Sequence, residues 1–337
     1  MSAVPILRIT PGAAAGRLAL AVMLSVLSAT AHAQNAAQQR TDAQWLQMIR
    51  LAGQRSNFTG TVVMRQGGEV QASRIVHLYE NGVSYERVQA LDGPAREFIR
   101  TGNEVQCLWP ASRKVVVEWR PAQDSFPAFT DAMPADILAR YAMKLEGMER
   151  VAGHDCQVVL LTPRDALRFG HRLCVDRDTG LLLSAQMLNE RNEVLEQMSF
   201  AEIRIGEKID RRGLKPSWPT QGWTVERTEH KPVDVTAMGW LMAVPTGFKR
   251  VREVLRKMVP GYEGERRAMQ AVYSDGLATF SVFIEPEPAA ATEDALQAHG
   301  ATHALSRRVG NAMITVVGEV PPTTVRQVAQ SVEFRPR

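Results

Sequence analysis

The chain has 337 residues, of which 45% are hydrophobic and 23% charged. That composition supports buried cores and excludes a disordered chain. Its 40 Lys+Arg stand against 36 Asp+Glu, a balance without the basic footprint of a nucleic-acid binder.

The chain opens with Arg8 and Arg17, then a short apolar run from Leu18 to Ala29, then Ala31-His32-Ala33 as a small-x-small cleavage site. This order predicts a secretory signal peptide over 1–33, cut after Ala33, with an apolar part too short for a permanent membrane span. The alternative is an uncut anchor. Polar residues from Gln34 to Arg40 favour cleavage, and no cysteine follows the cut to carry a lipid. Cleavage predicts an exported protein in a compartment that permits disulfides. About 300 residues then remain, enough for two domains.

Thr41 to Ala52 reads as an amphipathic helix, with Trp45, Met48, Ile49 and Ala52 on one face. The period then changes to two. Strands are predicted over Phe58–Met64, Val70–Tyr79, Val83–Ala90, Glu97–Arg100, Val105–Trp109 and Val115–Trp119, punctuated by Gln66-Gly67-Gly68-Glu69, Asn81-Gly82 and Asp92-Gly93-Pro94. A second helix is predicted near Ala135–Leu145, behind Pro134. Four more strands follow, over Cys156–Leu161, His171–Asp176, Leu181–Leu188 and Val194–Ile205. A sheet of that many antiparallel strands must curl to hide its apolar face. The expected product is a half-open antiparallel β-barrel with helices inside or across its mouth, enclosing either a cavity or a filled core.

Residues 210–231 are polar, carry Pro216 and Pro219 and lack a sustained period, which predicts a linker between a first domain, 34–209, and a second, 232–337. The second domain reads as a smaller α+β unit. Trp240–Val244 leads to Pro245-Thr246-Gly247-Phe248. Phe248–Leu255 and Ala268–Tyr273 are a candidate strand pair, Leu277–Ile284 is a strand, and Glu285–Ala291 is a loop. Ala304–Val309 and Ala312–Glu319 form a predicted hairpin, and Pro321–Val332 a final helix. The fold class is therefore α+β, dominated by antiparallel strands.

The chemistry-bearing candidates are few. His154, Cys156, His171 and Cys174 lie on neighbouring predicted strands. They suit either a zinc site or a Cys156–Cys174 disulfide, and export together with the absence of Cys-x-x-Cys knuckles favours the disulfide. Cys107 is left as a small buried apolar residue, and His77 reads as a structural histidine. No nucleophile elbow, His-Glu-x-x-His, P-loop or dinucleotide fingerprint occurs. The expectation is a non-enzyme without cofactor or metal. A zinc-dependent envelope hydrolase is the competing class. Basic residues gather from Lys249 to Arg267, as a solvated face or as a docking surface for an acidic partner or anionic lipid.

Several blocks carry a family resemblance. In the first domain they are Trp45-Leu46, Asn57-Phe58-Thr59-Gly60-Thr61, and Arg172-Leu173-Cys174-Val175-Asp176 leading to Asp178-Thr179-Gly180-Leu181-Leu182. In the second they are Pro245-Thr246-Gly247-Phe248, Tyr273-Ser274-Asp275-Gly276-Leu277 with Ser281-Val282-Phe283, and Gly300-Ala301-Thr302 with Val316-Val317-Gly318-Glu319-Val320-Pro321. In their order the chain resembles the MucB/RseB family of periplasmic regulators of the envelope-stress sigma factor. The resemblance implies a lipoprotein-carrier-like first domain with a helical plug. It also implies a second domain that, with the interdomain region, binds the periplasmic segment of a membrane-spanning anti-sigma factor. Occupancy would shield that segment from proteolysis, and lipid or lipopolysaccharide-like ligands would release it. The family supplies no catalytic residues.

For an acyl ligand the candidate lining is Phe58, Val62, Leu78, Phe98, Leu108 and Leu183, with plain core as the alternative for each. For the partner surface it is Trp240, Phe248, Arg250, Arg252 and Arg256. Trp240 and Phe248 fit the small domain's own core equally well. A homo-oligomer is compatible with the sequence, and a lipid or lipoprotein carrier without a regulatory partner is the functional alternative.

Overall fold

The computed structural model describes residues 40–119, 133–228, 230–257, 267–286 and 296–336. The expected signal peptide lies outside the described residues. Helix α1 spans Asp42–Arg55 and buries Trp45, Leu46, Ile49 and Ala52, while Met48 packs at the margin of the same core.

The meander forms one large sheet. Its strands are β1 (Phe58–Gln66), β2 (Glu69–Glu80), β3 (Val83–Ala90), β4 (Glu97–Thr101), β5 (Glu104–Trp109) and β6 (Lys114–Trp119), then β7 (Tyr141–Val151), β8 (His154–Pro163), β9 (Gly170–Asp176), β10 (Leu182–Leu188), β11 (Val194–Ile205) and β12 (Thr224–Thr228). The order is β12-β6-β5-β4-β3-β2-β1-β11-β10-β9-β8-β7, so β12 and β7 are edges and the sheet does not close on itself. The β1–β11 pairing, from Phe58↔Ile205 to Gln66↔Glu196, joins the two halves of the meander.

Strand alternation sorts the side chains. Phe58 pairs with His77, Gly60 with Ile75 and Val88 with Phe98, which puts these residues on one face. There Phe58, Val62 and Ile75 share a core with Trp45, Leu46 and Ile49 of α1, with Ile137, and with Val159, Leu161, Leu173, Leu183 and Phe200.

Helix α2 is shorter than expected. It covers only Pro134–Arg140, and β7 begins at Tyr141. Ala142, Met143, Lys144 and Leu145 favour helix intrinsically, but a turn through Ala152 and Gly153, both at positive φ, folds them back onto β8. Tertiary pairing overrides propensity here.

The segment 210–231 departs from the expected irregular linker. It contains a 3-10 turn at Arg211–Leu214 and strand β12, which pairs in parallel with β6 from Thr224↔Lys114 to Thr228↔Glu118. Trp218 and Trp223 pack on Leu108, Val115, Val117 and Ile99, on the face opposite α1. Glu97, fully buried, accepts hydrogen bonds from Ser217 N–H (2.9 Å) and Ser217 Oγ (2.6 Å) and pairs with Arg87 at 3.1 Å. The segment is a strap whose two indoles cover apolar surface that the meander leaves open.

A second sheet contains β13 (Lys231–Pro232), β15 (Lys249–Lys257), β16 (Arg267–Ser274), β17 (Thr279–Pro286), β18 (Leu296–His299), β19 (Thr302–Val309) and β20 (Ala312–Gly318), in the order β13-β15-β16-β17-β20-β19-β18. The short strands β14 (Trp240–Leu241) and β21 (Glu333–Phe334) pair with each other. Helix α3, Pro322–Ser331, buries Val325, Val328 and Ala329 against Met269, Ala271, Phe280, Val282, Ile314 and Val316. Strand β18 was not foreseen; its four residues carry no alternation, and only the pairing from Leu296↔Leu305 to His299↔Thr302 defines it.

Candidate functional site

The two sheets meet through a buried ionic hub. Arg164–Phe169 connects β8 to β9 and carries Arg168, whose guanidinium is fully buried. Its Nε–H donates to Asp275 Oδ2, Nη1 to Asp165 Oδ2 and Nη2 to the Thr246 carbonyl. The Phe248 ring lies against the guanidinium, 4.7 Å from Cζ to centroid. Tyr141 Oη donates to the same Asp275 Oδ2 at 3.1 Å. Asp275 Oδ1 accepts Leu277 N–H (3.0 Å) and Ala278 N–H (2.8 Å) in the β16–β17 turn. Both carboxylate oxygens are therefore satisfied, as a buried charge requires.

The fold delivers these groups for local reasons. Tyr141 sits where α2 becomes β7, and Asp275 is held by its own turn. Gly247 has φ +94°, and a Cβ there would run into the Arg140 and Arg168 side chains. Only glycine lets the Pro245-Thr246-Gly247-Phe248 turn bring the Thr246 carbonyl and the Phe248 ring to Arg168.

Burial holds the neighbouring ionisable groups neutral. The Tyr141 phenol is pushed well above its ordinary range by burial and then by the Asp275 charge. His171 packs edge-on to Tyr141, with ring centroids 6.1 Å apart, and its Nε2 is shielded without a hydrogen-bond partner. Burial lowers its pKa to about 4, against a smaller upward pull from Asp275.

Further contacts flank the hub. Lys249 Nζ pairs with Asp136 at 2.8 Å. Thr323 and Thr324 of α3 donate through Oγ1 to the Ala166 and Leu167 carbonyls, at 3.2 and 2.9 Å. On another side, Glu196 Oε1 accepts Gln66 Nε2 and Ala301 N–H, each at 2.8 Å. A cleft of about 360 Å³ opens beside the hub, between Pro163, Arg164, Phe169, Leu188, Asn189 and Pro321.

The expected site residues are dispersed. Phe58, Val62 and Leu183 lie in the α1-covered core, and Phe98 is half-buried on the same face as Phe58. Leu78 and Leu108 project from the opposite face, since their paired neighbours His77 and Cys107 share the face of Phe58 and Phe98. A single lining made of all six is thus corrected by register. Leu108 is covered by the strap.

Trp240 and Phe248 belong to the core packed against the second sheet. Trp240 packs against Phe334 (4.8 Å) and Phe248 against Phe280 (5.0 Å). Arg250, Arg252 and Arg256 remain at the surface of β15, half-buried or exposed. Cys156 and Cys174 form a disulfide with Cα atoms 5.4 Å apart. They sit diagonally, because Cys156 pairs with Asp176 and Val158 with Cys174. Both thiols being consumed, the His/Cys quartet offers no zinc site. Among the described residues, no other group of three His, Cys, Asp or Glu is placed to hold a metal. Cys107 is buried and lies outside the disulfide, and His77 is a core histidine held by the Ser56 carbonyl and Ser84 Oγ, each at 2.7 Å.

The hub was missed in sequence. Arg168 and Asp275 are 107 residues apart, and neither stands in a spacing that signals a pair. The only signal was indirect: Asp275 and Gly247 each lie inside a block that carries the family resemblance.

The comparisons with known proteins follow the same division. A model described as the MucB/RseB N-terminal domain matches residues 41–218, and one described as the MucB/RseB C-terminal domain matches 234–333. The chain belongs to the MucB/RseB family. Among its MucB/RseB relatives is the sigma factor AlgU regulatory protein MucB of Pseudomonas aeruginosa, 33% identical over 302 residues, covering 88% of this chain and 92% of that one. The sigma-E factor regulatory protein RseB of Haemophilus influenzae is 26% identical over 327 residues, covering 94% and 97%. Among solved structures, MucB in complex with MucA(peri) superposes with a TM-score of 0.70 at 30% identity, covering 88% of this chain and all of that one. MucB alone gives 0.64 at 28% identity, covering 86% and 97%. In this MucB/RseB chain the hub lies where residues of the N-terminal match meet residues of the C-terminal match.

Proposed function

We propose that this chain is a periplasmic negative regulator of an envelope-stress sigma factor. It binds the periplasmic segment of a membrane-spanning anti-sigma factor, shields that segment from proteolysis and releases it when a lipid or lipopolysaccharide-like ligand is sensed. The carrying observation is the match of both MucB/RseB models, in order, to a chain 33% identical to a protein named as a sigma factor regulator. A relative of the same fold, MucB, has been solved in complex with MucA(peri).

In this reading residues 34–209 are a half-open, lipoprotein-carrier-like barrel plugged by α1 and α2, and they sense the ligand. Residues 232–337 grip the partner, and the strap connects the two. Export through the predicted signal peptide places the protein where both ligands are met. The work is binding and coupling, without a covalent step. A carrier that only moves lipid or lipoprotein is the alternative, and it gives no use to the second sheet.

The test is titration of residues 34–337 with the periplasmic segment of the host's anti-sigma factor, with and without lipid. Tight binding that lipid weakens is expected. Lipid uptake with no segment binding would replace the regulator with the carrier.

A further inference from the structure

Strand β15 has one flank that is only partly occupied. On its inner side it pairs with β16 along its whole length, from Lys249↔Ser274 to Lys257↔Arg267. On its outer side β13 covers only Val254 and Leu255, and Val233 N–H reaches the Glu253 carbonyl. Among the described residues no strand pairs with the outer edge of Lys249–Arg252. That stretch is open to solvent: Val251 is 54% exposed, and the side chains of Lys249 and Arg250 are 70% and 52% exposed.

Cations lie on both faces of this edge. A register shift between Arg250 and Arg252 places Arg250 opposite Tyr273, on the α3 side of the sheet, and Arg252 opposite Val272, on the other side. Lys249, opposite Ser274, lies on the same side as Arg252. The only acid within the stretch Lys249–Arg256 is Glu253, and Arg250 holds it at 3.1 Å. Lys249 is engaged by Asp136. Arg252 carries no ion pair or hydrogen bond among the described residues.

An open strand edge is a template for a further strand. We infer that the outer edge of β15 at Lys249–Arg252 takes an extended acidic segment of the anti-sigma partner as an added β-strand, continuing the row begun by β13. The inference rests on the functional reading above and specifies how that partner is held. Backbone groups of Lys249–Arg252 hydrogen-bond the incoming strand. Its carboxylates, alternating between faces, meet Arg252 and Lys249 on one side and Arg250 on the other. Charge complementarity sets the choice of partner, because a basic strand would set its cations against Arg252, while an acidic strand supplies the carboxylate that Arg252 lacks among the described residues.

The experiment uses the mature chain and the periplasmic segment of the host's anti-sigma factor. Backbone hydrogen exchange is followed with and without the segment, alongside its affinity for wild type, Arg252→Glu and Arg252→Lys. The expected result is protection of the Lys249–Arg252 amides on binding, a loss of about tenfold or more for Arg252→Glu, near-wild-type binding for Arg252→Lys, and weakening by added salt. An unchanged melting temperature shows that Arg252→Glu folds. Wild-type binding with no new protection at Lys249–Arg252, or with Arg252→Glu as tight as wild type, overturns this inference and leaves the regulator intact. No binding by wild type overturns the regulator itself.

Discussion

Arg168 and Asp275 are the residues on which most else depends. Taking both charges out of water is costly, and their mutual attraction compensates only because both Asp275 oxygens and all three Arg168 nitrogens are hydrogen-bonded. Arg168→Ala leaves Asp275 buried with only Tyr141 and two backbone amides. The expected cost is about 3–5 kcal/mol in urea denaturation. The double change Arg168→Met with Asp275→Leu should recover much of that loss. If the single variant is as stable as wild type, the hub is not buried as described. His171 adds a pH dependence with a definite sign. Its folded pKa is about 4 and its unfolded value about 6.5. The unfolded chain therefore binds the extra proton first as pH falls. Stability from this group is complete above pH ~6.5 and is lost progressively toward pH ~4. The melting temperature should fall over that window, and His171→Phe should flatten the fall. A variant with the same slope as wild type would assign the dependence to another group.

At the scale of elements, the strap and the disulfide make separate demands. Trp218→Ala would uncover Leu108, Val115 and Val117, at a cost of about 1–3 kcal/mol. It should also raise binding of a hydrophobic dye, and unchanged dye binding would mean the strap covers little. The Cys156–Cys174 bridge closes a sequence separation of 18, and its loss should lower stability by about 3 kcal/mol in the chain-entropy picture. Reduction of the folded protein followed by a urea titration measures it. The meander strands were legible in the sequence because alternation and Asn-Gly or Asp-Gly turns are local signals. Val83–Ala90 and Val194–Ile205 have the expected limits. Strands β7 and β12 were not legible, because what defines each is a partner rather than a pattern. Tyr141–Leu145 has helical composition until β8 pairs with it. Thr224–Thr228 is almost wholly exposed and is a strand only because β6 offers an edge. The core-or-surface ambiguity of Trp240 and Phe248 has the same origin: an aromatic beside arginines fits an interface or a core, and only the packed partners Phe334 and Phe280 decide. Two of the six residues proposed to line an acyl site, Leu78 and Leu108, fell to the same limit, since hydrophobicity marks burial without saying on which face of a twisted sheet.

For the whole molecule, the regulator reading demands that two ligands feel each other across the joint. If lipid weakens the anti-sigma segment by a factor α, the segment must weaken lipid by the same α, because both describe one coupling free energy. The route between the sheets runs through few covalent connections and through the hub, the Lys249–Asp136 pair and the contacts of Thr323 and Thr324 with the Arg164–Phe169 loop. A ligand that displaces this loop must change what Asp275 and Phe248 rest on. Gly247→Ala is the probe for that route. It strains a φ of +94° and forces Arg140 and Arg168 aside, yet it leaves both sheets and the β15 edge in place. Its expected stability cost is about 1–3 kcal/mol, small enough for the protein to remain folded. The informative quantity is α, measured by titrating segment with and without lipid and lipid with and without segment. Coupling through the hub predicts that α moves toward 1 in Gly247→Ala while each ligand still binds alone. An unchanged α in a variant with a lowered melting point would mean that the hub holds the sheets together but carries no signal between them.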